Sequence, residues 1–175
     1  MGTQLIREGL ARAAAVFAAR PMQAVSSDAP AKARWLGGLE CELTGPLDAR
    51  VRTAMPRSLG GRADAPTPGW YLRAAQASCL ATVIALRAAE TGLALRELEV
   101  EFGSESDARG ILGLPAARAV GPLRATVHVR ISADSLAEQT LRELVQWAFE
   151  HSPVAACMQD EPRLEWKLEL SGCSA

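Results

Sequence analysis

One segment, TPGWYLRAAQASCLATVIALRAAE at residues 67–90, constrains the fold more than any other part of the chain. Between Ala74 and Leu86 it carries no charged residue, and the helix formers Ala, Leu, Arg and Gln dominate it. A proline just before it and a glycine just after it indicate the two ends, so the pattern predicts a helix from Trp70 to Thr91. Because apolar residues cover most of its circumference, we expect burial on nearly every side, with the thiol of Cys79 near the middle.

Composition excludes several classes of function. The 175 residues fit one domain with a single core, and 19 basic against 20 acidic residues leave a net charge of -1. This balance gives no electrostatic footprint for nucleic acid or an anionic membrane. The four cysteines have no metal-ligand spacing, and only two histidines are present, so we expect no metal and no cofactor.

The amino-terminal residues predict a retained helical extension. Apolar residues recur at helical spacing from Thr3 to Ala19 and Pro21 ends the pattern, while internal charges argue against a signal peptide. No charge-free apolar run reaches the roughly 20 residues that cross a bilayer. We therefore assign residues 1–22 to an N-terminal amphipathic extension and residues 31–170 to one domain. The expected location is the cytoplasm, where thiols stay reduced.

Alternation of apolar and polar residues predicts strands on both sides of the long helix. Before it, the Gly37-Gly38 turn joins two alternating runs into a β-hairpin, and residues 49–55 favour a third strand. After it, residues 95–104 and 123–132 alternate at period two and are expected to pair antiparallel. The expected inward residues of the hairpin are Trp35, Leu39, Cys41 and Leu43.

The last third of the chain predicts two helices and a closing strand. One helix spans residues 134–151, capped by Asp134 or Ser135, and Ser152 followed by a proline is suited to cap a short second helix. The alternation at 163–170 predicts a final strand, with Leu164, Trp166, Leu168 and Leu170 inward. This order of elements is typical of an α+β fold with helices segregated to one face of antiparallel sheet.

Three pieces stand in a familiar order: TPGWYLRAAQASCLA on the buried helix, VRISADS at the end of a strand, and LVQWAFEHSPV between two helices. Together they resemble the family of osmotically induced protein C (OsmC) and organic hydroperoxide resistance proteins, over about residues 31–170. The resemblance implies antiparallel sheets wrapped around two central helices in an intertwined homodimer. It also implies a thiol peroxidase site at the subunit interface, taking an organic peroxide.

In the resembled family, a cysteine of the central helix attacks the peroxide and becomes a sulfenic acid, and Cys79 matches that position. Only the thiolate is nucleophilic, and burial disfavours it, so a cation or hydrogen-bond donors must compensate. The family pairs its cysteine with an arginine held by a glutamate. An arginine or His151 is therefore expected beside the sulfur if the thiol is active.

The sequence departs from the family pattern at two positions. Gly69 stands ten residues before Cys79, where the family has its glutamate, and Ser152 stands at the position of the resolving cysteine. A hydroxyl forms no disulfide, so Cys157 is a possible alternative resolving thiol and an external thiol is the other. The family arginine falls on Leu39 if the glycine turns are aligned; Arg34, Arg62 and Arg73 remain as substitutes.

Each of these residues also has a structural explanation. Free cysteine is often simply buried, Ser152 is explained as a helix cap, Cys157 as core and His151 as the complement of a helix dipole. Two hypotheses for function follow. One is a thiol-dependent peroxidase with the single nucleophile Cys79 and an unidentified reductant. The alternative is a non-catalytic OsmC-like dimer that binds a small hydrophobic ligand in the interface pocket.

Overall fold

The computed structural model describes residues 3–115, 120–134, 136–158 and 165–170. Its elements mix helices with antiparallel strands, and an N-terminal helix precedes the rest. In chain order they are α1 (Thr3–Ala19), β1 (Lys32–Gly37), β2 (Glu40–Thr44), β3 (Arg50–Ala54), α2 (Pro68–Thr91), β4 (Leu95–Ser106), α3 (Ala108–Ile111), β5 (Pro122–Ala133), α4 (Glu138–Glu150) and α5 (Pro153–Ala156).

β1, β2 and β3 form a three-stranded antiparallel sheet in sequence order. The β1–β2 turn places Gly37 at φ +114° and Gly38 at φ +54°, a conformation that favours glycine, and the predicted hairpin is confirmed. Trp35 pairs with Cys41 across the hairpin, but its side chain is 70% exposed. The expectation that Trp35 points into a core is therefore wrong, because the described elements leave its side chain largely open to solvent. Leu39, also expected inward, is 46% exposed.

β4 and β5 form a long antiparallel ribbon. The register sets Leu98 opposite Ile131 and Val100 opposite Val129, which puts their apolar side chains on one face, packed against the core. Glu99 on the other face pairs with an exposed arginine of β5. The predicted antiparallel pair is confirmed, and its alternating pattern gives the core one apolar wall.

α2 lies at the centre of the fold, with both ends set by local sequence. The Thr67 hydroxyl accepts a hydrogen bond from the Trp70 N–H at 3.2 Å, and Gly92 ends the helix at φ +75°. α2 buries one side, consisting of Gln76, Leu80, Ile84, Ala88 and Ala89.

The expectation that α2 is buried on nearly every side is wrong for the single chain. Its opposite side is exposed along Ala75, Ser78, Thr82 and Ala85, which we call the exposed stripe of α2. The core cluster forms between α2, α4 and the β4–β5 ribbon, so these elements cover only one side of the helix.

α4 begins later than its sequence indicated. The helix starts at Glu138 after Ala137, which makes no side-chain cap, and Asp134 instead pairs with Arg96 at 3.1 Å. The prediction of a helix capped by Asp134 is therefore wrong, because that carboxylate is used by the neighbouring strand; Ser135 lies outside the described residues. The buried residues Leu144 and Ala148 pack α4 against α2.

The predicted closing strand is not found at residues 165–170. Trp166, Leu168 and Leu170 are 79%, 67% and 73% exposed, so they do not point into a core as expected, and Leu164 lies outside the described residues. A strand needs a neighbouring edge for its backbone hydrogen bonds, and no described strand of this chain pairs with the segment.

Among the described helices, none combines the length and apolar character that crossing a membrane requires.

Candidate functional site

The sulfur of Cys79 meets the junction between α4 and α5. The Ser152 hydroxyl donates a hydrogen bond to Cys79 Sγ, with Oγ and Sγ 3.3 Å apart. Ser152 is only 2% exposed, whereas Cys79 is half-buried. The two residues are 73 positions apart in the chain, so tertiary packing alone creates this contact.

Helix capping orients the Ser152 hydroxyl. Its oxygen accepts the Ala155 N–H at 3.3 Å, and Pro153 occupies the first turn of α5, as the sequence predicted. A hydroxyl has one proton to donate, and here it points to Cys79 while the oxygen serves the helix. The capping role and the contact with sulfur are therefore compatible.

A second polar group joins the same two segments. Gln76, 2% exposed, lies one turn before Cys79 on α2, and its Nε2 donates to the Val154 carbonyl at 2.8 Å. The sequence analysis did not single out Gln76. The available signal was a long polar side chain within a charge-free apolar run, three residues from the thiol.

His151 and Cys157 flank this junction with contacts of their own. His151 Nδ1 lies 2.8 Å from the Trp147 carbonyl, and its ring stacks on the Trp147 indole with centroids 3.9 Å apart. Cys157 is exposed, and its thiol donates to the Pro153 carbonyl at 3.3 Å. The structure thus records neither in a hydrogen bond with Cys79, and their roles as thiolate partner and resolving thiol stay predictions.

The arginines proposed as substitutes for the family arginine bond elsewhere. Arg34 bonds Glu42 at 3.0 Å and thereby holds the pKa of that carboxyl below its ordinary value. Arg62 faces Glu40 at 3.4 Å, and Arg73 Nη1 donates to the Ser104 hydroxyl at 3.4 Å. Over the described part of the chain, the hydrogen bond to the Cys79 sulfur comes from Ser152, not from a cation.

Gly69 lies in the first turn of α2, where the side chain expected from the family is absent. A Cβ built there would lie 3.7 Å from Arg73 Nη1 and 3.9 Å from Thr67 Oγ1, which is ordinary contact. Arg73 therefore lacks the carboxylate that a glutamate at this position would bring toward it. The arrangement at the site is a neutral hydroxyl on a half-buried thiol.

This arrangement has a definite chemical capacity. A hydroxyl that donates to sulfur stabilises negative charge there without adding a charge of its own. When the sulfur attacks a peroxide, the same hydroxyl can also donate its proton to the oxygen that leaves as the O–O bond breaks. A disulfide with Ser152 is excluded because oxygen replaces the second sulfur.

Solved structures of known proteins share this fold. An organic hydroperoxide resistance protein from Legionella pneumophila aligns with 21% identity and a TM-score of 0.58, covering 77% of this chain and 91% of that chain. An OsmC-like protein from Mycoplasma pneumoniae aligns with 14% identity and a TM-score of 0.66, covering 78% and 91%.

A third structure carries a ligand. It is a Vibrio cholerae protein described as an organic hydroperoxide resistance protein, with captopril bound in one of its active sites; identity is 19%, coverage 78% and 89%, and the TM-score 0.55. At these identities the similarity establishes the shared fold. The comparison with curated proteins finds no significant match.

The family model described as OsmC-like protein matches residues 61–167, which is more than half of the chain. That range includes α2 with Cys79 and the α4–α5 junction with Ser152. The match agrees with the resemblance found in the sequence and with the mixed helix and antiparallel-sheet fold. The chain belongs to the OsmC-like protein family.

Proposed function

We propose that this protein is a thiol-dependent peroxidase that reduces organic hydroperoxides with Cys79 as its nucleophile. The observation that carries the proposal is the 3.3 Å hydrogen bond from the buried Ser152 hydroxyl to the Cys79 sulfur, within an OsmC-like chain. Buried hydroxyls are usually satisfied by backbone groups, whereas this one donates to a thiol on the helix that carries the family's nucleophile. The related structures named for hydroperoxide resistance add support for the substrate class.

The proposed reaction begins on the thiolate. Cys79 Sγ attacks one peroxide oxygen, an S–O bond forms, the O–O bond breaks, and the alkoxide leaves and takes up a proton to become an alcohol. Cys79 is oxidised by two electrons to a sulfenic acid, and the hydroperoxide is reduced by two electrons. Ser152 stabilises the charged sulfur before the attack and stands beside the oxygen that the sulfur gains.

An external thiol regenerates Cys79 in this proposal. One thiol condenses with the sulfenic acid to give a mixed disulfide and water, and a second thiol releases Cys79 and leaves as a disulfide. Ser152 has no sulfur to offer, and the Cys157 thiol is exposed and directed to the Pro153 carbonyl. These features favour an external reductant over resolution by Cys157.

We infer that the working unit is a homodimer. The exposed stripe of α2 consists of small side chains, which permit the close approach of a second helix. Trp166, Leu168 and Leu170 alternate with charged residues and are exposed, the pattern of a strand that lacks a partner edge. A second copy supplies a helix to pack on the exposed stripe of α2 and a strand edge to pair with residues 165–170.

A solution mass of twice that of one chain is expected for the purified protein. A monomeric mass at micromolar concentration would contradict the inference.

The decisive experiment measures thiol consumption. Reduced protein treated with one equivalent of cumene hydroperoxide is expected to lose one thiol per chain and to gain a dimedone-reactive sulfenic acid at Cys79. Cys79→Ser is expected to abolish the reaction, whereas the matched variant Cys157→Ser is expected to leave the first turnover unchanged. Oxidation of Cys157 with Cys79 untouched would refute the assignment.

A groove supports the alternative of a non-catalytic ligand-binding protein. It has a volume of about 470 Å³ and lies between β5 and α4, with a lining that includes Ile131, Leu141, Val145 and Phe149. Its size falls within the range of ordinary ligand sites. The bound captopril in the Vibrio cholerae structure adds support that this fold admits a small organic molecule. A Cys79 thiol that does not react with any hydroperoxide would favour this second function.

A further inference from the structure

A buried amide stands within the apolar side of α2. Gln76, Leu80, Ile84 and Ala88 follow one another at a spacing of four residues, and all are buried, so Gln76 faces the core side of the helix. An amide buried there without hydrogen-bond partners would destabilise the fold. Its Nε2 instead bonds the Val154 carbonyl at 2.8 Å, in a segment 78 residues further along the chain.

The segment held by Gln76 has little stability of its own. α5 has four residues, far below the length at which a helix persists without tertiary contacts. Two hydrogen bonds fix the orientation of its single turn: the capping bond from the Ala155 N–H to Ser152, and the bond from Gln76 to the Val154 carbonyl. Ser152 is the residue that begins this turn, two positions before Val154.

The same turn of α2 therefore contacts the α5 segment twice. The Cys79 sulfur accepts a hydrogen bond from the Ser152 hydroxyl. Gln76 lies three residues earlier, at a neighbouring position on the helix surface, and donates a hydrogen bond to the Val154 carbonyl. A hydrogen bond weakens steeply as its angle falls, so the contact between hydroxyl and sulfur depends on the placement of α5. The Gln76 bond restrains that placement from within the core.

We propose that Gln76 is a positioning residue, which holds the α5 segment so that the Ser152 hydroxyl is directed at the Cys79 sulfur. The proposal deepens the proposed function, because it concerns the reactivity of the same thiol. Gln76 acts through Ser152 and does not itself need to touch the peroxide.

A double-mutant cycle on the full-length reduced protein tests the proposal. The readout is the rate of Cys79 alkylation by iodoacetamide at pH 7, followed by peptide mass spectrometry. Ser152→Ala is expected to slow alkylation about tenfold, as the loss of a hydrogen bond to a charged group does. Gln76→Met, which keeps the chain length and removes the donor, is expected to slow it by a similar factor.

The double variant distinguishes positioning from general destabilisation. If Gln76 works through Ser152, adding Gln76→Met to Ser152→Ala is expected to change the rate less than about twofold. The thiolate absorbance in the ultraviolet, measured against Cys79→Ser, is expected to fall equally in both single variants. An equal slowing by Gln76→Met with and without Ser152 would overturn the proposal, and so would an unchanged rate in a folded Gln76→Met protein.

Two further arms keep the result decisive. Gln76→Asn withdraws the donor by one methylene, and the same slowing is expected there if the methionine variant does not fold. Iodoacetamide requires no peroxide, so the failure of this coupling is distinguishable from the failure of the proposed function. A coupled cycle in a protein that consumes no hydroperoxide would refute the peroxidase alone.

Discussion

Replacing Ser152 with cysteine is expected to give a protein that closes a disulfide with Cys79 after a single reaction with hydroperoxide. In the native chain the hydroxyl oxygen lies 3.3 Å from the Cys79 sulfur, and the C–S bond of the variant is longer than the C–O bond that it replaces. A disulfide needs its sulfur atoms at about 2.0 Å, so a shift of about 1 Å by the short α5 segment is sufficient. Under the proposed mechanism, the substitution gives Cys79 an internal resolving partner in place of an external reductant.

The Ser152→Cys experiment has a clear readout. After one equivalent of cumene hydroperoxide, the variant is expected to lose two thiols per chain, to show no dimedone adduct, and to yield a peptide pair linked between positions 79 and 152. Ser152→Ala is the matched control and is expected to retain a trappable sulfenic acid. If the variant accumulates a sulfenic acid at Cys79 while the new thiol at position 152 stays free, the α5 segment does not approach Cys79 as described.

Replacing Ile84 with alanine is expected to lower the free energy of unfolding by about 3–4 kcal/mol. Ile84 is fully buried at the centre of the cluster formed with Leu80, Ala88, Leu144 and Ala148. Removal of its side chain leaves a cavity where α2 meets α4, and the neighbouring alanines are too small to fill it. Because the core of the single chain contains few large side chains, this loss is a large share of the 5–15 kcal/mol typical of whole proteins.

Urea unfolding followed by circular dichroism checks the Ile84 prediction. The midpoint is expected to fall while the dependence on urea concentration stays unchanged. Val25→Ala is the matched control, since Val25 is 73% exposed and its substitution is expected to change stability by less than about 0.5 kcal/mol. A loss below about 1 kcal/mol for Ile84→Ala would show that the α2–α4 contact is not the centre of the core.

Local sequence patterns were sufficient to predict an element where the groups that stabilise it are close in sequence. The Gly37-Gly38 turn, the Gly92 end of α2, and the Ser152 cap of α5 each depend on residues within a few positions of one another. Period-two alternation was likewise sufficient for the β4–β5 ribbon, because one face meets the core and the other meets solvent. These elements were predicted correctly from residue types and spacing.

Patterns failed where a distant partner decides the outcome. The carboxylate of Asp134 suits a helix cap, yet it bonds Arg96 on β4 and leaves the start of α4 uncapped. The alternation at 165–170 suits a strand, yet a strand forms only against an edge that accepts its hydrogen bonds. Trp35 alternates correctly with its neighbours, but the described part of the single chain leaves it 70% exposed.

The sequence by itself determined the family and the order of the helices and strands from α1 to α5, apart from the short α3, because these depend on residue type, spacing and local capping. It also indicated Cys79 as the candidate thiol. Only the tertiary structure decided what stands beside that thiol. It brought Ser152 to Cys79 and Gln76 to Val154 across more than 70 residues. The physical reason is that a hydrogen bond requires two groups to meet within about 3.5 Å at a suitable angle, and periodicity along one segment carries no information about which distant segment will supply the second group.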